Sequence, residues 1–247
     1  MARSVSSIAV TPIKGFALDF PEHVVLGPNG VEDNRRFALV GADGARLRST
    51  KHAWPCTLSA RYDLQAAQLA IRLPDGHELS GAVTPDGEVA FDYHGTLVSG
   101  HAVDGPWTSA LSELAGTPVR LVKLNEAACV QGAPVTIVST ASLERIAAEA
   151  GGRVDPRRFR MLFHVEGCQA HEEDTWLGRQ VRIGDAVVRV VEPVERCVVT
   201  TRDPATGERD MDTLELLKRY RGTIDFGIRA DIEQPGAVAL GDAVEPL

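Results

Sequence analysis

No run of apolar residues approaches the roughly 20 that a membrane-spanning helix needs. The first residues, Met1-Ala2-Arg3-Ser4-Val5, pass straight into a strand-like pattern without the apolar core of a signal peptide. That predicts cytoplasmic residence and no membrane association. Cysteine is scarce. The four present, Cys56, Cys129, Cys168 and Cys197, make no Cys-x-x-Cys pair and no regular spacing, which excludes a zinc finger and a disulfide framework. The Cys-x4-Cys-x2-Cys spacing of plant-type iron–sulfur proteins is missing, as is any flavin fingerprint. A surplus of positive charge is lacking too. At a net charge of −8 the surface as a whole suits neither nucleic acid nor an acidic bilayer, so any bound phosphate requires a local basic cluster.

What remains is an ordinary globular composition, 247 residues with 44% hydrophobic and 24% charged, enough for one large domain or two modest ones. Tight-turn signals at Ala42-Asp43-Gly44, Pro74-Asp75-Gly76 and Pro85-Asp86-Gly87 separate short strands at 58–62, 69–73 and 88–91. Short strands at that spacing argue for a barrel or sandwich. Residues 104–116 read as a helix with Trp107, Leu111 and Leu114 on one stripe. A second helix starts at a Ser139 or Thr140 cap and runs to about Ala150, and a third opens at Asp212-Thr213-Leu214-Glu215. Residues 125–132, small or polar and without a period, mark the expected boundary between a unit at 1–124 and one at 125–247. The fold class expected is mainly β, of α+β type.

The chemistry centres on Glu195-Arg196-Cys197-Val198-Val199-Thr200-Thr201-Arg202-Asp203-Pro204-Ala205-Thr206-Gly207. Residues 198–202 are β-branched and read as a buried strand, and 203–207 as a turn-rich loop. Arg196 beside Cys197 favours thiolate over thiol, and a thiolate is a nucleophile and a ligand for soft metals. A buried, inert cysteine fits the chemistry equally well. Lys14-Gly15 follows a strand and is either a solvated turn or a phosphate donor beside a glycine that lets an anion approach the backbone. Arg35 and Arg36 are expected on opposite faces of a strand, one of them inward and in need of an ion pair or a phosphate. His171 with Glu172, Glu173 and Asp174 matches no standard metal spacing, so a structural role is expected. None of the seven histidines forms a recognisable dyad with a cysteine, which ranks a thiol hydrolase last.

Taken together, Lys14-Gly15, Arg36-Phe37, Phe159-Arg160, Glu173-Asp174-Thr175-Trp176 and the long run around Cys197 resemble the MOSC proteins, and within them the amidoxime-reducing components and their bacterial relatives. The resemblance covers essentially the whole chain and implies a β-barrel MOSC domain preceded by an N-terminal β-barrel subdomain, with a few short helices. It implies the molybdenum cofactor, Mo-molybdopterin, with Cys197 as both molybdenum ligand and catalytic residue; pyridoxal phosphate is not expected. Lys14 and Arg36 would hold the cofactor's phosphate side, with Gly15 beside Lys14 and Arg160 supplying another contact. Ser139, Thr140, Glu195, Arg196 and Arg229 complete the implied cofactor-binding set. The implied activity is reduction of small N-hydroxylated substrates, with electrons from a separate ferredoxin-like or flavin reductase partner. The alternative is a carrier of the cofactor, or of sulfur as a Cys197 persulfide. Four positions depart from the family pattern: Met161-Leu162 where Pro-Asn is common, Glu195 where a small residue is common, and Arg229 where an aromatic is common.

Overall fold

The computed structural model describes residues 2–93, 95–125 and 134–247. The expected boundary at 125–132 lies almost wholly outside them. In chain order the first strands are β1 (Ser4–Ile8), β2 (His23–Gly27), β3 (Gly30–Val31) and β4 (Phe37–Gly41). Then follow β5 (Ser59–Asp63), β6 (Gln68–Arg72), β7 (Glu78–Ala82), β8 (Pro85–Tyr93), β9 (Thr96–Val103), helix α1 (Thr108–Ala115) and β10 (Val119–Leu124). The second half carries β11 (Val135–Ser139), α2 (Thr140–Glu149), β12 (Phe163–Glu166), β13 (Gln180–Ile183) and β14 (Ala186–Glu195). It ends with α3 (Thr213–Arg221), β15 (Asp225–Gln234), β16 (Gly236–Ala239) and β17 (Val244–Pro246). The fold is mainly β, as the turn signals predict.

Seven strands form the largest sheet, in the order β1-β12-β11-β15-β14-β13-β17. Its two edges meet: Ser4 bridges Ala243, and the Val244 amide donates to the Arg3 carbonyl at 3.0 Å. A sheet curled until its edges bond has almost no open rim. Its interior is filled by Val5, Ile137, Phe163, Trp176, Val188 and Ile228, all buried. β1 comes from the start of the chain, and β2 likewise pairs with β16 from the end, so strands from both sides of residue 125 share sheets.

Residues 37–124 build a second core. Sheet β4-β10-β9-β8 and sheet β5-β6-β7 enclose Phe37, Leu39, Tyr62, Leu69 and Leu121, joined by Leu111 of α1 and by Trp107 at that helix's N-cap. Phe37 and Tyr62 meet edge to face with centroids 4.9 Å apart, a favoured aromatic geometry. Pro85-Asp86-Gly87 is not the free turn that its composition suggests. It lies inside β8, where the register slips between Asp86 and Glu88 and Gly87 takes φ 57°, a glycine bulge.

Helix ends follow the sequence closely. Ser139 caps α2, its hydroxyl accepting from the Ser142 amide at 3.1 Å. Asp212 caps α3 through the Glu215 amide at 3.0 Å, and Gly222 closes it in the left-handed region.

Candidate functional site

Between the two cores lies a cleft of about 720 Å³. Cys197 lines it and is exposed. The expected buried strand at 198–202 is instead a single 3-10 turn, Val198–Thr201, with Cys197 at its N-cap. Threonine hydroxyls explain the difference. Thr200 Oγ1 donates to the Cys197 carbonyl at 3.0 Å and Thr201 Oγ1 to the Val198 carbonyl at 2.7 Å. These local bonds compete with a sheet ladder and win here despite β-branched propensity. On the other side of the cysteine, the Arg196 amide donates to the Ile224 carbonyl at 3.1 Å. The backbone is thus pinned before and after Cys197 while its side chain stays at the cleft.

The second half of the run has a different task. Asp203 Oδ1 accepts from the amides of Ala205 at 2.7 Å and Thr206 at 3.0 Å, and the Gly207 amide returns to the Asp203 carbonyl. Gly207 has φ 77°, and a Cβ there would come within 2.9 Å of the Ala53 carbonyl oxygen, so only glycine fits without strain. Arg202 bonds the carbonyls of Gly207 at 2.9 Å and Thr50 at 3.2 Å. The loop therefore fastens the 48–54 segment, with its cleft-lining Arg48, Ser49 and Thr50, beside the cysteine.

Charge in the cleft opposes charge in the chain. Lys14, Arg35, Arg46, Arg48, Arg158, Arg160, Arg196 and Arg229 all line it; Glu192 and Glu195 are the carboxylates among the lining residues. Lys14 is held well below the ordinary lysine range, first by burial and then by the cations Arg35, Arg46 and Arg160. Arg160 is lowered to about 10 by burial and by Arg35; its guanidinium donates to the Phe16 carbonyl at 2.7 Å. Arg196 is also lowered to about 10, chiefly by burial. It donates to the Phe159 carbonyl and lies over the Phe159 ring at 5.3 Å. Among the described residues the buried Nε atoms of Arg158, Arg196 and Arg229 have no hydrogen-bond partner. Concentrated, partly desolvated cations of this kind favour a bound anion.

Of the residues expected from sequence, the cleft brings together Lys14, Gly15, Arg160, Glu195, Arg196, Cys197 and Arg229. Arg36 is not among its lining residues; its neighbour Arg35 is. The expectation of opposite strand faces fails because β4 begins only at Phe37, and Arg35 sits in a turn with φ 54°. Ser139 and Thr140 also lie outside the lining. Ser139 is fully buried as the α2 cap and its amide donates to Glu173 Oε1 at 3.2 Å. His171 is a structural residue here: its Nδ1 accepts from Arg221, which also bonds Asp174 at 2.7 Å. Among the described residues no group of three or more His, Cys, Asp or Glu side chains is placed to hold a metal ion.

Arg46, Arg48 and Arg158 escaped the sequence reading. Arg46 and Arg48 are spaced i, i+2, which puts both on one side of an extended segment, and that alternation is the signal for them. Arg158 carries none, since it lies in a 3-10 turn, Pro156–Phe159.

A profile of the MOSC domain matches residues 115–245, more than half of the chain, and the chain belongs to that family. Mitochondrial amidoxime-reducing component 1 of Mus musculus is 34% identical over 132 residues, covering 49% of this chain and 38% of that protein. Mitochondrial amidoxime reducing component 2 of Rattus norvegicus is 36% identical over 123 residues, covering 45% of this chain and 36% of that protein. The matches thus span less than two-fifths of those curated relatives. Among solved structures, the YUAD protein from Bacillus subtilis aligns over 99% of this chain and 94% of that chain, with a TM-score of 0.48 and 12% identity. Among the described residues no helix is long and apolar enough to cross a membrane, which says nothing of β-barrel membrane proteins.

Proposed function

We infer that the chain is a molybdenum-cofactor-binding oxidoreductase that reduces N-hydroxylated compounds, with Cys197 as the molybdenum ligand. One observation carries this reading: an exposed thiol lines a cleft rich in basic side chains, in a chain whose net charge is −8. The residues fit the group chemically. A thiolate suits a thiophilic metal, and Lys14, Arg35, Arg46 and Arg160 offer the cations that a pterin phosphate requires. Gly15, with φ 95° and a would-be Cβ 2.9 Å from Ser49 Oγ, keeps the backbone open beside Lys14. When bound, the cofactor supplies a two-electron redox centre with an open coordination position.

Lys14, Arg35, Arg46 and Arg160 would hold the cofactor's anionic end, and the backbone pinned on either side of Cys197 keeps that residue at the cleft. The reaction consumes two electrons and two protons, breaks the N–O bond and releases water. The electrons come from a separate donor protein of ferredoxin-like or flavin-reductase type, since the sequence carries no cluster spacing or flavin fingerprint of its own.

The test is molybdenum content per chain together with reduction of benzamidoxime by the purified holoprotein and an artificial reductant. One metal per chain and measurable turnover, both lost in Cys197→Ser with the thermal melt unchanged, are expected. Stoichiometric metal without turnover favours a cofactor carrier instead. A labile sulfur adduct on Cys197 in the intact mass, without metal, favours a sulfur carrier.

A further inference from the structure

The last turns of β14 are irregular. Pairing with β15 shifts register between Val190 and Glu192 and again between Pro193 and Glu195. A regular strand sends alternate side chains to opposite faces, but these shifts let Glu192, Pro193, Val194 and Glu195 all line the cleft. Bulges re-aim side chains in this way beside binding sites.

The two carboxylates of that stretch are not equivalent. Glu192 faces Arg229 across the ladder and forms an ion pair with it. Glu195 faces Asp225, whose carboxylate is engaged by the Thr223 hydroxyl at 2.8 Å. Glu195 is exposed, and no cation pairs with it among the described residues. Like charges directly opposite on a ladder cost stability, so packing gives no reason for a glutamate at this position. Its sign is also wrong for holding an anionic cofactor. With the arginines and Lys14 engaged by an anion, Glu195 is the uncompensated charge that a molecule entering from solvent meets two residues from the thiol.

Building on the N-hydroxyl reductase reading, we propose that Glu195 is a specificity-determining residue that selects substrates bearing a positive charge near the N-hydroxyl group. It acts by Coulomb attraction at the mouth of the cleft and takes no part in breaking the N–O bond.

Three benzamidoximes test this, bearing para-trimethylammonium, para-hydrogen and para-carboxylate groups, with the holoprotein and its Glu195→Gln variant. Binding is measured by titration calorimetry and, separately, turnover is followed. The parent is expected to bind the cationic compound about tenfold more tightly than the anionic one, the effect of one charge pair in a partly solvated site. Glu195→Gln should bring the two within about twofold, weakening the cation and strengthening the anion relative to the neutral compound. Salt at about 0.5 M should erode the parent's preference, because partly exposed charges are screened. A preference that survives in Glu195→Gln, an equal loss for all three compounds, or failure of all three to bind overturns the assignment. Glu195-dependent binding without any turnover leaves charge selection standing and removes the reductase reading. Turnover without charge preference does the reverse.

Discussion

Arg158 is held by both oxygens of one carboxylate: Nη1 donates to Asp210 Oδ1 at 2.7 Å, and Nη2 to Asp210 Oδ2. The arginine is buried while its partner is partly exposed, with side-chain exposures of 3% and 40%. Asp203 adds a second, more distant carboxylate at 3.9 Å. A buried guanidinium on the cleft wall is thus fixed from behind by groups that reach solvent.

Removing that support strands a charge. Asp210→Ala is expected to lower stability by about 2 kcal/mol, below the 3–5 kcal/mol typical of breaking a fully buried pair because Asp210 is partly solvated. Arg158→Met combined with Asp210→Ala should recover part of the loss, since no unpaired cation then remains. Urea denaturation of the two variants checks the order. An additive double variant would show that the pair is not coupled.

Arg35 and Arg36 are neighbours in sequence with different surroundings. Arg35 lines the cleft and donates to the Arg160 carbonyl at 3.1 Å. Arg35→Ala is expected to reduce molybdenum retention about tenfold, the loss of one charge-assisted contact, and Arg36→Ala by less than half as much. Metal content after dialysis distinguishes them. A larger loss in Arg36→Ala would return the phosphate contact to the position implied by family resemblance.

Ser139 is a cap rather than a wall of the cleft. Ser139→Ala should cost about 1 kcal/mol of stability through the lost α2 cap and leave cofactor retention at the parent level. Thermal unfolding and metal content, measured on the same preparation, decide between a structural and a binding role.

Two histidines make the fold acid-sensitive. His164 is pushed down to about 4 by burial. His171 is pushed down to about 4 by burial and by the adjacent Arg221. The unfolded chain takes up protons on both near pH 6.5, whereas the folded chain keeps them neutral until about pH 4. The unfolded state therefore binds more protons in that window, and stability falls as pH drops through it. For buried His164 the loss reaches up to about 3 kcal/mol; half-exposed His171 contributes less. His164→Asn should flatten the acid limb of a stability profile between pH 6.5 and 4 and leave the profile above pH 7 unchanged in slope.

Much of the fold was legible because local rules and tertiary structure agree. The Ser139 and Asp212 caps, the Gly222 stop and the Pro74-Asp75-Gly76 turn all follow from backbone chemistry that tertiary packing does not overrule. β7 escaped the reading because its residues alternate exposed and half-buried at an edge, so hydrophobicity barely marks it. Residues 198–201 misled because β-branched propensity is weaker than the local hydroxyl bonds of Thr200 and Thr201. Cys197, Lys14 and Arg160, which the resemblance implies, line the cleft. Arg35 reaches the cleft from a turn, where no period in the sequence announces which way a side chain points, whereas the i, i+2 spacing of Arg46 and Arg48 marks a shared side that only the fold ties to the cleft.

The closure of the seven-stranded sheet sets which span of the chain can fold by itself. Residues 115–245 omit Ser4–Ile8, the strand that lies between Phe163–Glu166 and the far rim at Ala243. A fragment cut to the matched span would lose that stave. It would bare a row of unpaired amides and carbonyls and invite edge-to-edge association with other copies. The part of the chain most recognisable by likeness is therefore not a part that can stand alone.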